Sequence, residues 1–507
     1  MEAQRGQLTS APGLPAAAAL IQPGGLGLLG RRIRDLGKAP PLTCPPATAI
    51  AAAAVLMSER GAGSIVVLGA DGAPLGIVTD RDLRSRVLAR GMAPGAPVSE
   101  VMSSPLLSVS PDVVAFEALL EMTRRRIHHL GVVEAGRLVA VVSSHDMILV
   151  EGAHPLALVR AIERENSLEG LAVAASRVTD VVRWLTAGGI AASEVGRFVA
   201  ELNDLLVARA AGLVEHALEA EGHGRPPVPY SWLAAGSEAR REQTLKTDQD
   251  NGLVYADPSP ESASTVEAYF GRFTARMTTA LVRLGFPECP GGFMASNPRW
   301  CQPAAVWRER FASWMETPQP EPLLAASVFF DLRPVAGDPG PGCELWRWLC
   351  ERAPTRILFL RHLAREAVQR PPGLGFFGRF KVESAGPHRG RLDLKRRAIF
   401  PITHGMRVCA LSLGLEDTHT LDRLRGAAAR GLIGAGEAED LRGAYESVAR
   451  LRLLHQLRCL DEGAQPDNFL DPGHLARTDR LLLKDAMATV AGFQEIVRDR
   501  FQVDTVV

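Results

Sequence analysis

Residues 36–152 contain an internal repeat, and it limits the fold more than any other feature of the chain. One copy carries SIVVLGADGAPLGIVTDRDL, Ser64 to Leu83; the other carries HHLGVVEAGRLVAVVSSHDM, His128 to Met147. Thr79 falls on Ser143 and Asp82 on Asp146, both at an offset of 64 residues. Each copy predicts a helix, a strand, a glycine-bearing turn, a second strand and a helix. Two copies of such a unit pack on each other, because neither buries its apolar face alone.

The T-x-x-D spacing has a direct physical reading. A hydroxyl at a strand end and a carboxylate one turn into the following helix can face one ligand, with helix backbone donors favouring a phosphate. The segment GIVTDRDL and its counterpart resemble CBS domains over nearly all of residues 40–150. The resemblance implies that Thr79 with Asp82, and Ser143 with Asp146, bind an adenine nucleotide such as AMP, ADP or ATP. The competing reading makes both carboxylates helix caps and the pair a structural or homodimerising module.

A chain of 507 residues is too long for one core, so further domains follow. Residues 1–35 read as an Ala/Gly/Pro-rich tail. Pro12, Pro15 and Pro23 break its apolar stretch, and Glu2 spoils the basic start that a signal peptide needs. Apolar residues at helical spacing make 153–228 a helical connector ending in GRPPVP. A mixed region, 229–350, holds two strand-like runs, DNGLVYA from Asp250 and AASVFFDLR at Ala325 to Arg333. Residues 351–507 are again helical around a basic stretch, GRFKVESAGPHRGRLDLKRR. The expected class is α+β multidomain.

Lys plus Arg equals Asp plus Glu, 57 each, so no overall basic field argues for nucleic acid. Seven dispersed cysteines without a C-x-x-C pair argue against a disulfide framework. The longest apolar run, Ala49 to Met57, is too short for a bilayer. Together these predict a cytoplasmic protein without a membrane partner.

The densest chemical signal is SWLAAGSEARREQTLKTDQDNGLVYA, Ser231 to Ala256. A Gly-Ser turn at Gly236 and Ser237 lets backbone N–H groups approach a triphosphate. Asp248 and Asp250 at i, i+2 face the same way on a strand and can hold a hard divalent cation. A third acid, Asp331, lies in SVFFDLR. This G-S…D-x-D…D pattern resembles the DNA polymerase β superfamily of nucleotidyltransferases. With MASNPRW, FFDLRPVAGD, HRGRLDLK and LRLLHQL, the longer string resembles a bacterial nucleotidyltransferase family related to the uridylyltransferase of PII signalling proteins. Gly252 departs from it, standing where that family usually has alanine.

The resemblance implies two Mg²⁺ ions held by Asp248, Asp250 and Asp331, with Gly236, Ser237 and Arg240 or Arg241 at the phosphates of a nucleoside triphosphate. Lys246 has the same ambiguous standing as the two arginines. The implied reaction moves UMP or AMP to an acceptor, a PII-like protein being the one suggested. The rival is a non-catalytic nucleotide-sensing signalling scaffold. His388, Arg389, Lys395 and Arg407 form a basic group that faces either this site or solvent, while Asp393 and His455 read equally well as satisfied core polar groups.

Overall fold

The computed structural model describes residues 32–36, 40–125, 127–143, 155–243, 245, 248–317, 320–370, 373–375 and 378–505. The chain forms an α+β multidomain structure with two compact units, residues 1–150 and 151–507.

The repeat becomes two sheets of one design. In the first, β1 (Thr43–Cys44) runs parallel to β2 (Ser64–Leu68), which pairs antiparallel with β3 (Pro74–Thr79). In the second, β4 (Ser108–Val109), β5 (His129–Glu134) and β6 (Arg137–Ser143) repeat that order and polarity. Helix Ile50–Glu59 turns Ile50, Ala53 and Met57 onto Ile65, Val67 and Val78. Glycine is required at Gly76, where a Cβ would stand 2.7 Å from the Ser103 carbonyl oxygen. Ile77 and Ser103 exchange backbone hydrogen bonds beside it, which holds that approach.

The second unit is built on a four-stranded sheet in the order β10-β7-β8-β9. Its strands are β7 (Tyr230–Ala235), β8 (Asn251–Tyr255), β9 (Cys301–Pro303) and β10 (Leu332–Gly337). Every residue of β7 and β8 is buried, because both sheet faces are covered. Tyr230 and Trp232 meet Phe270 and Phe273 of helix Ala263–Arg283. Ser231 and Leu233 face helix Pro339–Arg352, where Gly342 permits close contact. Strands covered twice lose the apolar–polar alternation of a one-sided sheet.

The 29-residue helix Ala192–Ala220 is buried along much of its length and packs on β10 and on helix Ala263–Arg283. The expected connector is thus a wall of the second unit. The run AASVFFDLR is not one strand. Helix Pro320–Phe329 takes its first part, the chain turns at Phe330 and Asp331, and β10 starts at Leu332. A short apolar run bounded by no period fits buried helix and buried strand equally. Asp248 to Asp250 precede β8 rather than lying within it.

Helices Ile357–Val368, Phe400–Ser412, Thr420–Ala429, Ala435–Asp461 and Arg477–Phe501 complete the unit with a small ribbon, β11 (Leu392–Asp393) and β12 (Phe469–Leu470). One apolar core runs from Leu233 and Trp307 through Phe330 and Phe359 to Met406 and Phe493. Among the described residues, no helix is long and apolar enough to cross a membrane.

Gly252 has a packing reason. A Cβ there would stand 3.2 Å from Trp307 Cζ2 and 3.3 Å from the Trp300 carbonyl oxygen. Trp307 cannot easily retreat, since it is fully buried and its Nε1 donates to the Leu253 carbonyl at 3.0 Å. Gly252→Ala is therefore expected to destabilise the protein by about 1 kcal/mol through overpacking. A urea titration that shows a lower midpoint at unchanged slope checks this.

Candidate active site

The Gly-Ser turn sits where three strands meet. Gly236, at φ +56°, opens the short helix Gly236–Ala239 directly after β7. Its N–H donates to the Asp331 carbonyl at 3.2 Å, and the Ala235 N–H donates to the Asp250 carbonyl at 2.9 Å. A Cβ on Gly236 would lie 3.4 Å from Asp250 Oδ2, so the Asp250 carboxylate rests against the turn.

Gln249 anchors the acidic segment. Its backbone N–H donates to the Pro287 carbonyl and its side-chain amide to the Phe286 carbonyl, both at 2.9 Å. With Gln249 buried, Asp248 exposed and Asp250 partly buried, the flanking carboxylates turn to the open side. Burial pushes the Asp250 carboxyl up. A hydrogen bond from the Cys289 thiol opposes this, the negative charge of Asp248 adds to it, and Lys395 and Arg240 offset part of the rise.

Asp331 does not share that setting. It is fully buried, and three guanidiniums hold its carboxylate. Arg240 Nη1 lies 2.6 Å and Arg407 Nε 3.0 Å from Oδ2, with Arg407 Nη2 also donating. Arg423 Nη2 lies 2.6 Å from Oδ1. Burial alone would raise this carboxyl, but the arginines hold it well below the usual carboxylate range. Asp331 was expected to share a cation with Asp248 and Asp250; its Oδ2 instead accepts from Arg240 and Arg407, while Oδ1 lies against Arg423 without a hydrogen bond.

A cleft beside the turn is lined by Ser237, Arg240, Glu242, Lys395, Tyr445 and Arg452, three cations against one acid. Lys395 was one of four basic residues that sequence left between a ligand site and solvent. The structure divides them. Lys395 faces the acidic pair, and burial with Arg452 and Arg240 lowers its ammonium while Asp248 and Asp250 counter this. Arg407 binds Asp331, His388 stacks on Phe469, and Arg389 is exposed. Asp393 accepts from the Arg396 N–H at 2.9 Å, and His455 contacts Asp467.

Two acids of this region escaped sequence reasoning. Glu242 binds Arg240 Nε at 2.8 Å and accepts from the Thr420 N–H at 2.9 Å. Glu238 is buried, and burial followed by the Asp204 charge pushes its carboxyl up to about 8, against the pull of Arg333. Arg241, expected at the phosphates, adopts φ +56° and lies 3.5 Å from Glu201, outside the cleft lining. Lys246 lies outside the described residues.

The first unit matches the CBS domain family over residues 33–89 and 98–151. CBS domain-containing protein YhcV of Bacillus subtilis (strain 168) is 36% identical over 105 residues, 21% of this chain and 74% of that protein. The chain belongs to the CBS-domain-containing proteins. Behind the CBS pair, residues 176–321 match the family described as "Putative nucleotidyltransferase DUF294", and residues 357–501 match "Putative nucleotidyltransferase substrate binding domain". An uncharacterised protein of Methanopyrus kandleri (strain AV19) is 32% identical over 126 residues, 24% of this chain. The chain spans 62% of that relative's length. A solved CBS domain protein of Pyrobaculum aerophilum, complexed with AMP, is 29% identical, with 26% of this chain and 100% of that one covered at a TM-score of 0.23.

In the CBS pair, Thr79 and Asp82 form a capping box. The Thr79 hydroxyl donates to Asp82 Oδ2 at 2.7 Å and the Thr79 N–H donates to the same oxygen at 3.0 Å. Arg86 Nε lies 3.3 Å from Oδ1. Both groups thus satisfy each other, as the capping reading expects. Ser143 ends β6 opposite His129, and Asp146 lies outside the described residues.

The contrast between the acids is testable. Asp331→Asn removes the charge that three buried guanidiniums share and should destabilise the fold by about 3–5 kcal/mol. Asp248→Asn, at an exposed position, should leave the urea midpoint nearly unchanged. The stabilisation from Asp331 is present above the ordinary Asp range, ~3.9, and is lost as pH falls below it toward the depressed folded-state value. Acid titration of wild type against Asp331→Asn checks the sign, because the mutant should show a shallower acid transition.

Proposed function

We propose that the protein transfers a nucleotidyl group, UMP or AMP, from a nucleoside triphosphate to an acceptor, a PII-like signalling protein being the candidate that the family relation suggests. The observation that carries this reading is the Asp248–Asp250 pair set against the Gly236 turn at the edge of the basic cleft. Two neighbouring carboxylates beside a cationic cleft suit a hard cation such as Mg²⁺ bound together with a triphosphate. Burial, with a smaller contribution from the Asp248 charge, raises the Asp250 carboxyl, and a bound cation would favour its anionic form. When bound, Mg²⁺ neutralises the triphosphate and polarises the bond that breaks.

The chain's own groups do the rest. The Ser237 hydroxyl offers a donor to phosphate oxygens, and Arg240, Lys395 and Arg452 give the cleft positive charge. Asp331 holds Arg240 in place rather than touching substrate. The acceptor attacks the α-phosphorus in line, its bond to phosphorus forms, and pyrophosphate leaves with the electrons of the broken P–O bond. Asp331's engagement also favours one alternative, a non-catalytic nucleotide-sensing scaffold, since a two-ion site lacks its third carboxylate in this arrangement. Adenine nucleotides at Thr79 and Asp82 of the CBS pair, with Ser143 and Asp146 in the second copy, would regulate either activity by binding its two states unequally.

The discriminating assay incubates the full chain and Mg²⁺ with each α-labelled nucleoside triphosphate and a lysate of the source cell. The enzyme labels an acceptor and releases pyrophosphate; the scaffold does neither. Asp250→Asn should lower transfer on the order of 10³-fold or more while the fold survives. Because the Asp250 carboxyl is raised, wild-type activity should climb with pH through its titration, as the anionic form is the one that holds the cation. Calorimetry with AMP, ADP and ATP should show binding to the full chain that Asp82→Ala weakens, with basal transfer unchanged.

A further inference from the structure

We propose that His455, Cys459 and Asp467 bind a zinc ion in the C-terminal helical region, apart from the acidic pair. His455 and Cys459 stand four residues apart on helix Ala435–Asp461 and so share a face. The loop that follows folds back and brings Asp467 Oδ1 to 2.6 Å from His455 Nε2. Cys459 Sγ lies 3.6 Å from the same nitrogen, and the three ligand atoms all fall within 4.8 Å of one another. The Cys459 residue is 8% exposed and the His455 side chain 11%, so the cluster is shielded from bulk water.

His388 stands beside this cluster, outside the three-ligand group. Its ring stacks on Phe469 at 3.6 Å and 6°, which fixes its orientation. That orientation brings Nδ1 to 3.9 Å from Asp467 Oδ2. This nitrogen is buried and has no hydrogen-bond partner among the described residues. A buried ring nitrogen next to Asp467 is placed to orient the carboxylate that would bind the ion.

The donor set decides the ion. One sulfur, one imidazole nitrogen and one carboxylate oxygen suit Zn²⁺, whereas Mg²⁺ and Ca²⁺ take oxygen ligands. Three protein ligands leave the fourth tetrahedral position to water. Binding needs Cys459 as thiolate and His455 Nε2 without a proton, so uptake releases protons to solvent and weakens as pH falls. The ion would join two segments, the long helix and the loop before β12. Asn468, next to Asp467, accepts from Arg452 Nε at 2.6 Å, and its carbonyl accepts from the Leu394 N–H at 2.9 Å. Zinc would thereby steady Arg452 and the residue ahead of Lys395 at the cleft. The metal site stands whether or not the cleft is catalytic.

The test uses the full chain stripped of metal, with Zn²⁺ titrated against a chromophoric chelator and Co²⁺ used as a spectroscopic substitute. The expected result is one tightly held equivalent, a thiolate-to-cobalt absorption band and tetrahedral d–d bands. Cys459→Ser and His455→Gln should each lose the equivalent, and Cys459→Ser should lose the thiolate band. Cys289→Ser and Asp250→Asn should keep both, which separates this site from the acidic pair. Far-UV circular dichroism of the metal-free variants shows whether the helices persist. The proposal is overturned if the wild type takes up no stoichiometric Zn²⁺, or if Cys459→Ser binds it as wild type does.

Discussion

The second unit depends on one buried carboxylate. Asp331, at the turn into β10, draws Arg240 from the Gly-Ser turn and Arg407 and Arg423 from two C-terminal helices to a single point. Taking four charges out of water is costly, and only close pairing on every side offsets it. Glu242 gives the cluster a second anion on the far side of Arg240 and ties it to the amide of Thr420. Three guanidiniums against two carboxylates leave positive charge to spare, and Arg240 presents it to the cleft. His404 and His419, packed beside these cations, are held neutral, chiefly by burial and then by the surrounding arginines; for His419 the acids Glu242 and Asp422 pull the other way.

The site that faces solvent is assembled from the same parts by different means. Backbone hydrogen bonds place it: the Ala235 and Gly236 amides reach to Asp250 and Asp331 on either side of β7. The Gln249 side chain then clamps the loop from below. Asp250 is left with a thiol donor from Cys289 and a cation, Lys395, that arrives from 145 positions along the chain (395 − 250). The acidic pair is thus lined by groups that come from three distant stretches of sequence.

Local pattern carried much of this arrangement. The 64-residue offset foretold two matching sheets, whereas the i, i+2 strand argument for Asp248 and Asp250 meets a strand that begins only after them. Long-range charge pairing was not legible. SVFFDLR looked like a strand bearing an open acid, because apolar runs carry no period that separates helix from strand, and nothing near Asp331 in sequence announces Arg407 or Arg423. HRGRLDLKRR showed basic composition without showing that Lys395 turns inward while Arg389 stays exposed. For Thr79 and Asp82, the spacing was compatible with ligand or cap, and the observed hydrogen bonds make the cap.

The shared burial of Asp331 has an evolutionary reading. The CBS repeats form a compact unit of their own, and the charges paired with Asp331 all belong to the other unit, so the repeats could be gained, lost or exchanged by recombination without unpairing Asp331. The sheet and the C-terminal helices lack that independence. A recombinant carrying only the sheet would keep Asp331 and Arg240 but lose two of the three partners that make Asp331 tolerable in the interior. Any replacement helical domain would have to bring two guanidiniums to the same spot. The two segments are therefore expected to be inherited together, as one selectable unit.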